Sequence, residues 1–291
     1  MNTSMSVREA FQWASSFLRA AGVDSPEFEA ELLLRRLIGV DRARFFLVLP
    51  EPWKREWTGP LKNWLNRRAA GEPLQYIVGD QEFYGRVFKV NRSVLIPRPE
   101  TEVLVETVLE EAERHLGKSA LHVVDVGTGS GAIAVTLALE KPKWHVTAID
   151  LSEEALASAK ENARFYGVEE KIDWIHGSFL TPLLSDLPPL DVLVSNPPYI
   201  PSDVIQTLEK QVRAFEPRLA LDGGEDGLEP YRVLTEQIGK WTGKRLVCFE
   251  IGADQGSEVA GLVEEIPGVT RVEVKQDLAG RDRVVVGFIG E

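Results

Sequence analysis

The chain has 291 residues, of which 44% are hydrophobic and 27% charged, with a formal net charge of −12. That length accommodates two domains, one with a full-sized core, and no apolar run nears the ~18 residues of a membrane span, so no transmembrane helix is expected. The acidity is concentrated: residues 1–90 carry 13 Lys/Arg against 11 Asp/Glu, whereas residues 91–291 carry 20 against 34, which argues against a nucleic-acid backbone as the main partner.

The first ninety residues read as helices. Ser6-Val7-Arg8-Glu9 has capping-box spacing, and Val7, Ala10, Phe11, Ala14, Phe17, Leu18 and Ala21 follow at helical intervals, with Gly22 as the stop. Ser25-Pro26 opens a second helix, with proline at its first position, whose expected face is Phe28, Leu32, Leu33 and Leu37-Ile38. A third is expected from Trp53 to Ala70, turning Trp57, Leu61, Trp64 and Leu65 inward. Residues 1–74 are therefore assigned to a small helical bundle.

Between residues 75 and 97 the pattern changes to short β-prone runs broken by Gly79, Gly85 and Asn91, as expected of a β-hairpin linker. It ends in Ile96-Pro97-Arg98-Pro99-Glu100-Thr101-Glu102, directly before a helix running to about Leu116, for which Glu100 or Thr101 is a candidate cap. From residue 98 to the end one larger domain is expected. Strands are predicted at Leu121–Val126, Val146–Ile149, Ile172–Ile175, Asp191–Ser195 and Leu246–Ile251, with helices between most of them. That alternation predicts an α/β, Rossmann-like parallel sheet covered on both faces. Arg271–Lys275 and Arg283–Phe288 close the chain with no helix between them and are expected to add an antiparallel pair at the edge.

The single cysteine, Cys248, lies in the apolar run Leu246-Val247-Cys248-Phe249 and reads as a small buried hydrophobe. A lone cysteine excludes an internal disulfide framework and fits a reducing compartment. Met1 to Arg8 has no basic region followed by an apolar stretch, so secretion is not expected and a cytoplasmic location is. His115, His122, His145 and His176 have no ligand-like spacing, and no metal site is predicted.

Three strand ends carry chemistry. Val123-Val124-Asp125-Val126 runs into Gly127-Thr128-Gly129-Ser130-Gly131, a glycine turn that opens a helix and presents free N–H groups to a ligand. Asp150 ends the next strand, 19 residues after Gly131, where a carboxylate can accept both hydroxyls of a ribose. A dinucleotide enzyme would show similar spacing, although Gly-x-Gly-x-Gly departs from its Gly-x-Gly-x-x-Gly pattern. Asn196-Pro197-Pro198-Tyr199 ends the fourth strand. Alone, such a tetrapeptide is an ordinary proline-rich strand exit. Beside the glycine loop and Asp150 it is a clamp: the Asn196 oxygen and the Pro197 carbonyl can each accept a hydrogen from a planar NH2 group, both prolines stiffen the turn, and Tyr199 offers a flat face.

Together these motifs resemble S-adenosylmethionine-dependent methyltransferases that modify planar amino nitrogens. Ile96 to Glu102, Phe215-Glu216-Pro217, Ala220 to Leu228, Glu250-Ile251-Gly252 and Asp277 to Val284 narrow the resemblance to the release factor glutamine methyltransferase family, over essentially the whole chain. The resemblance implies a seven-stranded methyltransferase sheet with an antiparallel C-terminal strand, S-adenosyl-L-methionine as co-substrate without a metal, and peptide chain release factors as protein substrate. It also implies that Gly127, Thr128, Gly129, Ser130 and Gly131 cradle the methionine part of the donor. Asp150 would hold the ribose, Phe179 flank the adenine, and Asn196, Pro197, Pro198 and Tyr199 bind the reacting amide. An acidic residue often precedes the adenine-flanking aromatic in that family, and here Ser178 stands there; Phe179 stands for a frequent Trp, and core packing is its alternative role. Two rival functions fit the same motifs: methylation of exocyclic amines of adenine or cytosine in nucleic acid, and donor binding without catalysis.

Overall fold

The computed structural model describes residues 5–117 and 119–290. They divide into two compact units, the first comprising the chain up to Gly79 with Lys210–Phe215, the second Asp80–Glu209 with Glu216 onward.

The first unit holds α1 (Val7–Ala20), α2 (Pro26–Ile38), α3 (Arg42–Val48), α4 (Thr58–Ala69) and α5 (Leu74–Val78). The capping box opens α1: Ser6 Oγ accepts from the Glu9 N–H at 3.3 Å, and Glu9 Oε2 accepts from the Ser6 N–H at 2.7 Å. Two orphan donors are thereby satisfied at the helix start. Leu18, Leu33, Leu34, Phe45, Leu61 and Leu65 form the core of this unit.

Three expectations are corrected here. Phe28 is 58% exposed, and Ala30, Leu33 and Leu34 make the buried stripe of α2; Phe28 stands two residues, roughly 200° of helix, from Ala30. The helix expected from Trp53 begins only at Thr58, after a 3-10 turn over Arg55–Trp57. Pro60 explains the late start, since proline has no N–H for the carbonyl four residues earlier and its ring clashes with it. Trp53 lies outside the helix and is still buried, its indole N–H donating to Thr58 Oγ1 at 2.9 Å. Finally, Leu74–Val78 is helical, closed by Gly79 at φ 88°, where a β-prone run was read. Burial of Leu74, Tyr76 and Ile77 outweighs their local preference.

The second unit opens with a hairpin, β1 (Asp80–Phe83) against β2 (Arg86–Lys89), turned by Tyr84 and Gly85, both at positive φ. It continues with α6 (Thr101–Leu116), β3 (His122–Val126), α7 (Ala132–Glu140), β4 (His145–Asp150), α8 (Glu153–Phe165), β5 (Ile172–His176) and β6 (Val192–Ser195). After the short α9 (Lys210–Arg213), which belongs to the first unit, come α10 (Glu229–Ile238), β7 (Arg245–Glu250), α11 (Gly256–Glu264), β8 (Val269–Gln276) and β9 (Asp282–Ile289). The sheet order is β5-β4-β3-β6-β7-β9-β8, parallel except that β9 runs antiparallel to β7 and β8. The predicted Rossmann-like sheet with its antiparallel C-terminal strand is present.

Strand side chains alternate between two cores. Val123, Val192, Val194 and Cys248 face α6 and α7; Val124, Leu193, Val247 and Phe249 face α10 and α11. Both faces are therefore dry, as the continuous apolar strands require. Cys248 is fully buried, and desolvation pushes its thiol well up. Among the described residues no helix is long and apolar enough to cross a membrane.

Candidate active site

The chain reverses its winding between β3 and β6, which pair in parallel with Val126 opposite Ser195. At such a switch point the loops leaving adjacent strands diverge and open a crevice. Ser195 Oγ ties the two strand ends together, donating to the Val126 carbonyl at 2.6 Å.

The glycine loop leaves β3. The Gly127 and Thr128 N–H groups both donate to the Ile149 carbonyl, at 2.8 and 3.1 Å, and the Gly131 N–H returns to Thr128 O at 2.8 Å. Beneath the loop Asp125 is fully buried, its Oδ2 accepting from Thr128 Oγ1 at 2.7 Å. Desolvation pushes the Asp125 carboxyl up to about 7, against the Thr128 hydrogen bond and helped by the neighbouring Asp150 charge. Fully buried Asn162 on α8 spans two segments: its Nδ2 donates to Ser130 O at 2.9 Å and to Lys89 O at 3.0 Å, while its Oδ1 accepts from the Lys89 N–H. Gly131 caps α7 at φ 79°, and a Cβ there would lie 3.1 Å from that of Ala159. Its glycine serves close packing of α7 on α8.

Asp150 ends β4. Its Oδ2 accepts from the Gly129 N–H at 2.8 Å and its Oδ1 from the Ser152 N–H at 2.9 Å. Burial raises its carboxyl, and these N–H groups act the other way. The carboxylate is thus fixed in direction before any ligand arrives.

Asn196 follows β6, and its Nδ2 donates to Thr101 Oγ1 on α6 at 3.2 Å. The backbone of Pro198, Tyr199 and Ile200 is backed by the glycine-rich loop after residue 220. Ile200 N–H donates to Leu221 O at 3.0 Å, and Gly223 N–H returns to Ile200 O at 2.9 Å. A Cβ on Gly223 would lie 2.8 Å from both Pro198 O and Tyr199 Cα, so only glycine allows this approach. Gln255 donates from Nε2 to Tyr199 O at 3.1 Å. The Tyr199 ring packs against the core on the α10–α11 face, and burial pushes its phenol up to about 12.

These loops enclose a cavity of about 310 Å³. Of the residues singled out in the sequence, Gly127, Thr128, Gly129, Ser130, Asp150, Phe179, Asn196, Pro197 and Pro198 line it; Gly131 and Tyr199 stand behind the lining. Phe179 adopts φ 52°, a conformation that is costly for a bulky residue. Pro97, Arg98, Pro217 and Leu219 also line the cavity. Glu216, 6% exposed, holds these segments together, accepting from the Arg98 guanidinium at 2.5 Å and from the Ile96 N–H at 3.1 Å.

Residues 9–79 match the family model described as the PrmC N-terminal domain, and residues 99–223 match that of the methyltransferase small domain. A release factor glutamine methyltransferase from Bacillus anthracis is 44% identical over 98% of this chain and all of its own length. Proteins of the same name from Bacillus subtilis and Caulobacter vibrioides are 42% and 40% identical, covering 97% and 98% of this chain and 97% and 96% of their own. The chain belongs to the release factor glutamine methyltransferase family.

A crystal structure of a Pyrococcus furiosus methyltransferase aligns with a TM-score of 0.51 at 15% identity, over 72% of this chain and 91% of its own. The human Mettl16 catalytic domain in complex with an RNA hairpin aligns at 0.53 and 16%, over 80% and 82%. At such identities the likeness is one of methyltransferase fold. Several of the site's residues had no sequence assignment. Leu95, Pro97, Arg98, Pro217 and Leu219 come from loops without periodicity; Pro97, Arg98 and Pro217 had only their membership in Ile96–Glu102 and Phe215–Pro217 as a signal, and Leu95 and Leu219 had none. Asn162 carried no signal, since a polar residue on a helix reads as solvent-facing.

Proposed function

We propose that this chain transfers a methyl group from S-adenosyl-L-methionine to the side-chain amide nitrogen (N5) of the glutamine in the Gly-Gly-Gln motif of peptide chain release factors. The observation carrying this reading is that Asn196, Pro197 and Pro198 line one cavity with Thr128, Gly129 and Asp150. The residues present suit that donor. Asp150 offers an oriented carboxylate to a ribose, the N-terminal end of α7 offers N–H groups to a carboxylate, and Phe179 offers a flat apolar wall. When bound, the donor supplies an electrophilic methyl on a sulfonium that leaves as a neutral thioether, so the transfer needs no metal.

The protein's own residues solve the remaining problem. An amide nitrogen is a poor nucleophile because its lone pair is delocalised into the carbonyl. Asn196 Oδ1 and the Pro197 carbonyl accept the two N–H hydrogens of the substrate and so fix the direction of the lone pair. Positioning of this kind supplies a large share of the barrier reduction. The extra proton on the methylated amide is acidic and departs to water, without a covalent enzyme intermediate. Tyr199 is not the base: a phenol pushed up to about 12 stays protonated at neutral pH. It walls the clamp from behind.

Residues 1–74 act in this reading as the docking domain for the release factor, 75–97 as the linker and 98–291 as the catalytic domain. The enzyme works in the cytoplasm on a protein, away from membranes and without direct nucleic-acid contact; the strongly acidic composition of residues 91–291 supports the last of these. The test is incubation of the purified protein with labelled donor and an unmodified release factor, read by mass spectrometry. One methyl on the Gly-Gly-Gln glutamine is expected. No label there, or label on added DNA or RNA instead, contradicts the proposal. A short Gly-Gly-Gln peptide, lacking a surface for the helical domain, is expected to show kcat/KM lower by on the order of 10²-fold.

A further inference from the structure

A carboxamide has two ends of similar size and opposite character: Oδ1 accepts hydrogen bonds and Nδ2 donates them. A substrate NH2 brings hydrogens, so Asn196 serves it only with Oδ1 forward. The reversed amide would set NH2 against NH2. Some group must decide between the two.

Three side chains meet where β6 and β7 end beside the start of α6. Ser195 pairs with Phe249, which makes Asn196 and Glu250 the next residues along these two strands. Thr101, 5% exposed, opens α6 and takes the Nδ2 donation from Asn196 at 3.2 Å. Glu250 is 1% exposed; burial pushes its carboxyl up to about 7, and hydrogen bonds from Thr101 and Asn196 act the other way, favouring the carboxylate. Among the described residues its Oε2 has no hydrogen-bond partner. As a carboxylate Glu250 only accepts, so it favours donors on the groups that face it. A hydroxyl holds one hydrogen; when Thr101 gives it to Glu250, its lone pairs are left to accept from the Asn196 NH2. Each contact favours the NH2 end inward.

We propose that Thr101 and Glu250 are positioning residues that turn the Asn196 carboxamide so that Oδ1 is offered to the substrate nitrogen. The inference rests on the role given to Asn196 in the proposed function. It makes Thr101 more than a filler at the start of a helix, because its hydroxyl acts on turnover through Asn196.

The test compares Thr101→Val, which keeps the side-chain shape and removes the hydroxyl, with Thr101→Ser, which keeps the hydroxyl and removes a methyl group. With an unmodified release factor as substrate, Thr101→Val is expected to lower kcat by ~10- to 100-fold, less than direct loss of a positioned polar group. KM and calorimetric donor affinity should stay within about threefold, the span of a weak indirect effect. Thr101→Ser should recover most of the lost kcat. Simple packing predicts the reverse order, with Val active and Ser impaired, and that result overturns the inference. Asn196→Ala, measured alongside, separates the two levels. A slow Asn196→Ala with a fully active Thr101→Val sinks the orienting role alone, whereas a fully active Asn196→Ala sinks the reading beneath it.

Discussion

Asp125 touches no ligand-facing surface, yet its burial has a consequence at ordinary pH. Its carboxyl is pushed up to about 7 in the folded protein and returns to roughly 4 in the unfolded chain. Between those values the native state holds a proton that the unfolded state has released. The stabilisation this gives is complete below pH ~4 and is lost as pH rises through about 7. Besides burial, the Thr128 hydroxyl and the Ala134 N–H hold it down and the Asp150 charge raises it. Asp125→Asn, which still accepts from Thr128, is therefore expected to gain stability relative to the unaltered protein as pH rises from about 5 to about 8. Urea denaturation across that range measures the difference, and a constant difference would contradict the buried titration. Asp125 was legible in the sequence only as a polar residue of the strand that runs into the glycine loop. Its burial beneath Thr128 was not, because that depends on how the loop folds back over the strand end.

At the level of elements, strands and helices were legible wherever period and capping agreed. The capping box of α1, proline at the start of α2 and the seven sheet strands fall where apolar spacing puts them. Errors arose where packing from elsewhere decided. Phe28 was assigned to a buried face that the rest of the first unit does not cover, and Leu74–Val78 became a helical turn by burial. The short α3 went unread, although Asp41 caps it by accepting from the Arg44 N–H at 2.7 Å. Gly223 had the plainest signal and the least obvious reason. Gly223→Ala would press a methyl onto Pro198 and Tyr199 and is expected to cost about 1–3 kcal/mol as overpacking. At ~2–4 °C per kcal/mol that is a clear drop in Tm, and kcat should fall with it. Gly261→Ala is the control, since nothing lies within 4 Å of its Cβ on α11; it should be neutral or stabilising by up to ~1 kcal/mol. Equal effects of the two would remove the case for a packed clamp.

For the whole molecule, the order of motifs along the chain already indicated what the sheet assembles in space. The glycine loop, Asp150, Phe179 and Asn196 follow β3, β4, β5 and β6, and a parallel sheet carries all four strand ends to one edge. The rest of the lining, including Leu95, Pro97, Arg98, Pro217 and Leu219, whose segments are joined by Arg98 and Glu216, needed the structure, because contacts more than a hundred residues apart leave no local pattern. The account turns on the carboxamide at the end of β6. Its most direct test is the turnover of Asn196→Ala on an unmodified release factor, with donor affinity measured on the same preparation. Turnover is expected to fall by ~10²-fold or more with donor affinity nearly unchanged, whereas Asp150→Ala should mainly weaken the donor, by on the order of 1.5–3 kcal/mol. Undiminished turnover in Asn196→Ala would contradict the account.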